Sequence, residues 1–398
     1  MEEKHTENFD GKKIEIVSVV NFFLGFSLSL VAYIASFYYQ QAAHSDNVSI
    51  FYFVPFLLIF FSLLRLHRVV RALGKSFLII ALLFAQILTL CGLLFADLSL
   101  QGALLLMVFH LIYGLLWVVL DETIESFSTD RKSGRIHGIY LTALNLGILL
   151  GPFASTQLLQ YYGFRGVFLT LLAIYCATFL FATFTLRAIP RATATKDISL
   201  RFLGGTLFAN ANMRNIYWVA LTLDFFYALM NIYTPLYLLE KGLSWGQIGF
   251  VFTVMLIPFV LIQYPVGFLA DKKWGERELL FVAFVLMGVS ALLMTGVDAS
   301  HILLWSLILL LGRIGAALVE ILRDSYFYKQ VDGADVGLIN LYRTSRSLAY
   351  VIAAIVGVAM LTVFPLGAIF FVIAGVAFLG LYPTWKLVDS RAEEETLV

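Results

Sequence analysis

Long apolar runs alternate with short polar segments along almost the whole chain. An α-helix rises about 1.5 Å per residue, so about 20 apolar residues cross a hydrocarbon layer about 30 Å thick. The pattern predicts twelve such helices, called spans one to twelve, at residues 14–39, 48–66, 76–96, 102–120, 138–160, 165–187, 215–238, 247–270, 279–297, 302–322, 338–363 and 365–385. We therefore expect an all-α integral membrane protein.

The longest polar stretch, residues 188–214, separates two sets of six spans. It predicts an N-terminal six-helix bundle at 1–187, a cytoplasmic central loop at 188–214 and a C-terminal six-helix bundle at 215–398. A shift of half the 398-residue chain pairs Asp121 with Glu320 and Glu125 with Asp324, which indicates an internal duplication. Parallel six-helix repeats are a recurring transporter plan, with the solute site between them near the midplane.

The basic residues lie predominantly in alternate loops. One side of the predicted membrane receives most of the lysines and arginines, while the other receives Arg165 and Lys241. Cytoplasmic loops carry the excess of basic residues in membrane proteins. We therefore expect a multi-pass protein of the plasma or inner membrane with both termini in the cytoplasm.

The composition agrees with lipid as the solvent for much of the surface. Hydrophobic residues make up 61% of the chain and charged residues 13%, against about 25% charged in soluble domains. The net charge of +1 gives no basis for nucleic-acid binding. Cys91 and Cys176 both lie in apolar runs, so we expect neither a disulfide framework nor a metal site.

The sequence contains no nucleotide-binding G-x-x-x-x-G-K-[ST] pattern, so we expect no use of ATP. It also contains neither H-E-x-x-H nor G-x-S-x-G, so we expect no catalytic residues, no cofactor and no enzymatic activity.

The turn after span eight contains Gly267, Asp271, Gly275 and Arg277. It closely resembles the loop motif of the major facilitator superfamily, in which an Asp follows a glycine by four residues and a second glycine precedes basic residues. The resemblance covers essentially the whole chain and implies a twelve-helix secondary transporter. It also implies that Asp271 belongs to a charge network that closes the cytoplasmic side, although a plain helix end is the alternative. The usual first copy of the motif is degenerate, with Val70 in the Asp position.

Span five contains Gly138, Gly147, Gly151 and Pro152, spaced as in the antiporter motif of the same superfamily. A Ser-Thr pair stands where that motif ends in two glycines, so the match is partial. The resemblance implies export of an amphipathic or drug-like compound by antiport. Close packing of two helices through small residues is the alternative explanation.

Asp224 and Arg313 lie near the middle of spans seven and ten. Each such charge costs about 2.5–3.5 kcal/mol at the bilayer centre, so it needs a partner or a function. The resemblance places spans one, four, seven and ten around a central cavity. We predict that Asp224 and Arg313 form a coupled pair, which could hold the two spans together, bind substrate and protons, or do both.

Two sets of candidate residues follow. The candidate substrate- and proton-binding residues are Asp224, Arg313, Tyr227, Asn231, Asn21, His110, Trp117 and Glu320. His110 is also compatible with a simple hydrogen-bonded helix contact. The candidate gating residues include Gly267, Asp271, Gly275 and Arg277 of the loop motif and Gly147, Gly151 and Pro152 of span five. The other candidate gating residues are Asp121, Glu125, Arg323, Asp324, Arg343 and Arg346.

These observations predict a monomeric secondary transporter that moves a small solute through the lipid bilayer by alternating access. Protons are the simplest coupling ion, because buried carboxylates can be tuned to titrate near neutral pH. The alternative is a transporter of organic anions or other metabolites, including an uptake system, because an unpaired arginine in the cavity would attract an anion, as Arg313 could. A receptor or scaffold without transport activity, and a membrane enzyme, are the competing classes.

Overall fold

The computed structural model describes residues 11–125, 133–185, 200–262, 276–297, 301–331 and 336–388. Within these ranges the regular structure is helical. The helices are α1 Gly11–Ala32, α2 Ala35–Ala43, α3 Ile50–Leu73, α4 Lys75–Phe95, α5 Leu100–Glu125, α6 Ser133–Thr185, α7 Leu200–Ala209, α8 Ala211–Glu240, α9 Trp245–Leu261, α10 Glu276–Met294, α11 Ile302–Gln330, α12 Val336–Leu361, α13 Ile369–Leu379 and α14 Leu381–Trp385, with a 3₁₀ turn at Leu366–Ala368.

Each predicted span contains a helix of the described chain, and residues 263–270 of span eight lie outside the described residues. Nine segments of the described chain are long and apolar enough to cross a membrane, and two shorter apolar helices occupy Ile50–Leu66 and Trp245–Leu261. One of the nine, Thr142–Thr185, contains two spans, because Gly163 interrupts α6 with non-helical backbone angles (φ 64°, ψ −169°). A positive φ favours glycine, which has no Cβ to clash. The structure therefore confirms the all-α membrane fold.

One helix was not predicted. Residues 200–209 lie within the polar stretch at 188–214, yet they form α7 beside α8. Leu207 is fully buried, and the Phe208 ring lies 5.9 Å from the Tyr217 ring of α8. The predicted cytoplasmic central loop thus contains a short helix, which forms because the apolar side chains of this segment gain burial against α8.

In the described chain, the most extensive contacts between the two predicted halves are made by three helix pairs. These are α2 with α8, α3 with α12, and α6 with α9. The division of the chain at residues 188–214 stays a prediction, but these pairs define an interface between the helices before and after it. The charged residues of spans seven and ten lie on α8 and α11, which pack against each other within the second half.

Candidate functional site

Asp224 and Arg313 are both buried, as their positions inside long apolar spans predicted. Their side chains lie on α8 and α11, and the residues are 2% and 4% exposed. Charges at this depth persist only when polar partners offset their transfer from water. The partners of each residue therefore show what the site is built to do.

The predicted pair of Asp224 with Arg313 was wrong. Asp224 instead forms an ion pair with Arg323, whose Nη1 lies 3.1 Å from its Oδ2. Ser345 of α12 donates a hydrogen bond of 2.7 Å to the same oxygen. Arg323 also donates to the carbonyl oxygen of Ala220, at 3.0 Å. The carboxylate is thus neutralised and held by two helices.

Helix register explains this choice of partner. Residues 224, 227 and 231 of α8 contact residues 323, 320 and 313 of α11, respectively. Ascending numbers on one helix meet descending numbers on the other, so the helices run antiparallel. Ten residues separate Arg313 from Arg323, which is about 15 Å of helix. Arg313 therefore lies level with Asn231 and far from Asp224.

Arg313 has polar and aromatic partners without a carboxylate. Its Nη2 donates a hydrogen bond of 3.0 Å to Oδ1 of Asn231, and its guanidinium lies 5.2 Å from the centroid of the Tyr227 ring. Asn231 in turn donates to the hydroxyl of Tyr350, at 3.3 Å. The Nε atom of Arg313 is buried and has no hydrogen-bond partner in the described part of the protein. Its positive charge is offset only in part.

Tyr227 joins Arg313 to Glu320. The Tyr227 hydroxyl donates a hydrogen bond of 2.8 Å to Oε2 of Glu320, while its ring supports the Arg313 guanidinium. Glu320 is only partly buried, and no ion pair to it occurs within 4 Å in the described chain. A change at Arg313 can therefore reach Glu320 through a single side chain.

Trp117 and Arg346 come together across the two halves. The guanidinium of Arg346, on α12, lies 5.5 Å from the Trp117 ring on α5. One turn further along α12, the ring of Tyr350 stacks on Phe56 of α3 at 3.8 Å. Sequence reasoning missed Phe56, Tyr350 and Ser345, because nothing local distinguishes them from the many other aromatic and small residues of the spans.

The remaining candidates of the first half lie apart from this group. His110 of α5 donates from Nδ1 to the carbonyl oxygen of Leu106 at 2.8 Å, and the Tyr39 hydroxyl lies 3.3 Å from the same nitrogen. These contacts agree with a structural helix contact for His110. Asn21 is fully buried in α1. Direct roles for both residues in binding stay predictions.

The gating candidates on α11 form a charged cluster near Asp224. Arg323 lies 3.4 Å from Asp324, which accepts a hydrogen bond of 3.1 Å from the Tyr342 hydroxyl. Arg343 follows Tyr342 on α12 and is partly buried. This arrangement ties α11 to α12 at one level of the bundle. The cluster is compatible with a gate, and that role stays a prediction.

Several gating candidates fall outside the described structure. Gly267, Asp271 and Gly275 lie in the gap between 262 and 276, and the side chains of Asp121 and Glu125 are not described. Arg277 lies in the first turn of α10, is about half exposed, and has its Nε 3.7 Å from a carboxylate oxygen of Glu278.

The span-five glycines serve close helix packing. A Cβ added at Gly147 would collide with the carbonyl oxygen of Phe22, and one at Gly151 would collide with the side chain of Ser29, both on α1. Thr156 donates a hydrogen bond of 2.9 Å to the carbonyl oxygen of Pro152. The geometry agrees with the packing alternative, and a role of these residues in conformational change stays a prediction.

The halves are in contact at the end of the bundle that we predict to face outward. There, the Phe37 ring lies 5.1 Å from Trp245, and the backbone N–H of Gly246 donates to Gln160 at 3.1 Å. The hydroxyls of Ser49 and Tyr233 are also hydrogen-bonded to each other. Contacts between the halves thus extend from this end down to Trp117 and Arg346.

Comparisons with known proteins agree with the family resemblance noted in the sequence. The family model described as Major Facilitator Superfamily matches residues 17–247 and 240–397. A curated relative from Escherichia fergusonii, named uncharacterized MFS-type transporter YcaD, is 26% identical over 213 residues, which cover 52% of this chain and 51% of the relative. Its counterpart from Escherichia coli O6:K15:H31 is 29% identical over 163 residues, 40% of each chain. The chain thus matches about half the length, or less, of these curated relatives.

Two solved structures share the fold. One is a crystal structure of the POT family transporter PepTSo, with a TM-score of 0.73 and 13% identity, covering 94% of this chain and 97% of the other. The second is an auto-inhibited POT family peptide transporter, with a TM-score of 0.72 and 12% identity, covering 95% and 98%. At this level of identity the likeness concerns the fold alone.

Proposed function

We propose, because this chain belongs to the major facilitator superfamily, that it carries a small solute across the inner or plasma membrane by alternating access. Transport by this family is secondary and generally involves no enzymatic step. The observation that carries the proposal is the direct contact of Tyr227 with both Glu320 and Arg313. Three linked polar groups inside a lipid-embedded bundle are costly, and intramembrane ionisable residues of this kind mark transport pathways and proton relays.

The proposed site lies beside the interface between the halves. Asn231 of α8 contacts Tyr350, and Tyr350 stacks on Phe56 of the first half. Tyr227 and Asn231 are partly exposed within span seven, and Glu320 is partly exposed near the predicted end of span ten. A solute bound there would contact both halves, so a change in their relative position would expose it to one side and then the other.

We propose Glu320, rather than Asp224, as the group that exchanges the coupling proton. Asp224 is 2% exposed and neutralised by Arg323, so protonation would have to break a buried ion pair. Glu320 accepts a hydrogen bond from a neutral hydroxyl and remains partly accessible. It can therefore gain a proton without leaving a cation unpaired beside it.

Purified protein in proteoliposomes provides the test. An imposed proton gradient should drive accumulation of a transported solute, and release of that solute should move protons in a fixed ratio. A library of metabolites and drugs, screened by the rise in apparent unfolding temperature on binding, supplies the solutes to use. Binding without flux of any stabilising compound would favour the receptor class over the transporter.

A further inference from the structure

Two arginines of the proposed site lack a carboxylate partner. Neither Arg313 nor Arg346 forms an ion pair in the described part of the chain. Each guanidinium instead lies over an aromatic ring, Arg313 over Tyr227 and Arg346 over Trp117. Arginine stacks well on such rings and keeps its hydrogen-bond donors available at the ring edge.

The carboxylates nearby are already engaged. Asp224 and Asp324 both lie within 4 Å of Arg323, and Glu320 accepts from Tyr227. No ion pair joins Arg346 to Glu320 or to Asp224 in the described chain. The described core of the site thus carries two positive charges that its own acidic residues do not directly neutralise.

Unused donors lie beside both arginines. In the described chain, the Nε atom of Arg313 is buried without a hydrogen-bond partner, and so is the hydroxyl of Tyr113, which lies one turn before Trp117 on α5. Buried donors normally find an acceptor, so an unpartnered group calls for a missing one. Two such donors beside two cations indicate an acceptor that carries negative charge.

The two arginines are connected through one helix face. Arg313 contacts Asn231, Asn231 donates to Tyr350, and Tyr350 lies one turn from Arg346 on α12. The rings of Phe56 and Tyr350, stacked at 3.8 Å, lie along this path. The path therefore combines positive charge with flat apolar surface.

We propose that the solute is an amphipathic organic anion with an aromatic body, whose acidic group binds Arg313 and Arg346. The rings of Phe56, Tyr350 and Trp117 contact its apolar part. This inference rests on the proposed transport function and names its substrate class. A cationic compound would meet two unneutralised guanidiniums, and a neutral one would leave both without a counter-charge.

Three probes with the same aromatic body separate these classes. Naphthoate is negative, naphthamide is neutral and naphthylmethylammonium is positive. Each is added to the purified full chain, and binding is measured by the rise in apparent unfolding temperature and by quenching of tryptophan fluorescence. We expect naphthoate to bind most tightly and naphthylmethylammonium least tightly.

Substitution of the arginines then locates the site. Arg313→Gln and Arg346→Gln should each weaken naphthoate binding by about tenfold to hundredfold, the usual effect of losing a hydrogen bond to a charged group, and leave naphthamide binding almost unchanged. Arg165→Gln, an exposed arginine outside the site, should bind naphthoate like the parent protein. Arg313→Lys and Arg346→Lys keep the charge and serve where a glutamine variant does not fold.

Specific outcomes overturn the inference. Naphthamide or naphthylmethylammonium binding as tightly as naphthoate would show that the site does not select anions. Parent-like naphthoate binding by both arginine variants would place the anion elsewhere, and no binding up to millimolar concentration would exclude this substrate class. These results leave the proposed transport function intact if another solute is transported. In contrast, naphthoate binding without flux of any solute would refute transport and leave the anion site supported.

Discussion

Asp224 of α8 forms its ion pair with Arg323 of α11, at 3.1 Å, although Arg313 lies on the same helix about three turns away. The pair is buried, because the two side chains are 3% and 13% exposed. Removing one partner of a buried pair leaves the other charge without compensation, while removing both is much less costly.

We therefore expect Asp224→Asn and Arg323→Gln each to lower the free energy of unfolding by about 3–5 kcal/mol. In the double variant, the free energy of unfolding should fall by much less than the sum of the two single decreases. Unfolding in detergent micelles measures all three. The matched control is Asp224→Asn combined with Arg313→Gln, whose effects on the free energy of unfolding should add. A larger coupling energy between Asp224 and Arg313 than between Asp224 and Arg323 would instead support the pair predicted from the sequence.

Glu320→Gln should abolish accumulation driven by a proton gradient and retain exchange of labelled for unlabelled solute. Glutamine preserves the acceptor for the Tyr227 hydroxyl but cannot take up a proton. If the solute is an anion, proton and solute should move together, since a proton on Glu320 removes its repulsion of the bound anion. Glu240→Gln, at the exposed end of α8, is the control. Undiminished proton-driven accumulation by Glu320→Gln would assign the proton to another group.

Gly147→Ala should destabilise the protein by roughly 1–3 kcal/mol, as overpacking does, because its Cβ would collide with the backbone of Phe22. Gly375→Ala in α13 is the control, since no atom lies within 4 Å of the added Cβ. That change should be neutral or stabilise the helix by up to about 1 kcal/mol. Equal thermal unfolding of both variants would show that α1 and α6 have room to separate.

Alternating access requires the contacts between Gln160 and Gly246 to break during transport. After replacement of Cys91 and Cys176 by serine, a cleavable thiol cross-linker should join Gln160→Cys to Gly246→Cys and stop solute flux. Reductive cleavage of the linker should restore it. Gln160→Cys alone, treated with the same reagent, controls for modification of one residue. Full flux through the cross-linked protein would mean that this end does not open.

The orientation of the chain is tested by labelling. Cysteines placed at Asp46 and Lys241 should react with a membrane-impermeant thiol reagent added outside intact cells, and a cysteine at Thr193 should not. The expectation follows from the distribution of basic residues. Permeabilised cells show that every site is reactive in principle, and the reverse pattern in intact cells would invert the topology.

The sequence by itself determined the membrane fold and its twelve spans. Span length and hydropathy are local properties, since lipid requires each crossing segment to satisfy its own backbone hydrogen bonds. The same reasoning located Asp224, Arg313 and Glu320 inside spans, where their cost singles them out. The polar face of α8 formed by Asp224, Tyr227 and Asn231 also follows from helical periodicity alone.

Only the tertiary structure decided which of these residues meet. Asp224 selects Arg323 because α8 and α11 run antiparallel at one particular register, and a shift of a few turns would have brought it to Arg313. The joining of Trp117 to Arg346 and of Phe56 to Tyr350 depends in the same way on how the halves pack. Register and helix rotation arise from the packing of many side chains at once, so no single helix carries the information that pairs its residues with those of another.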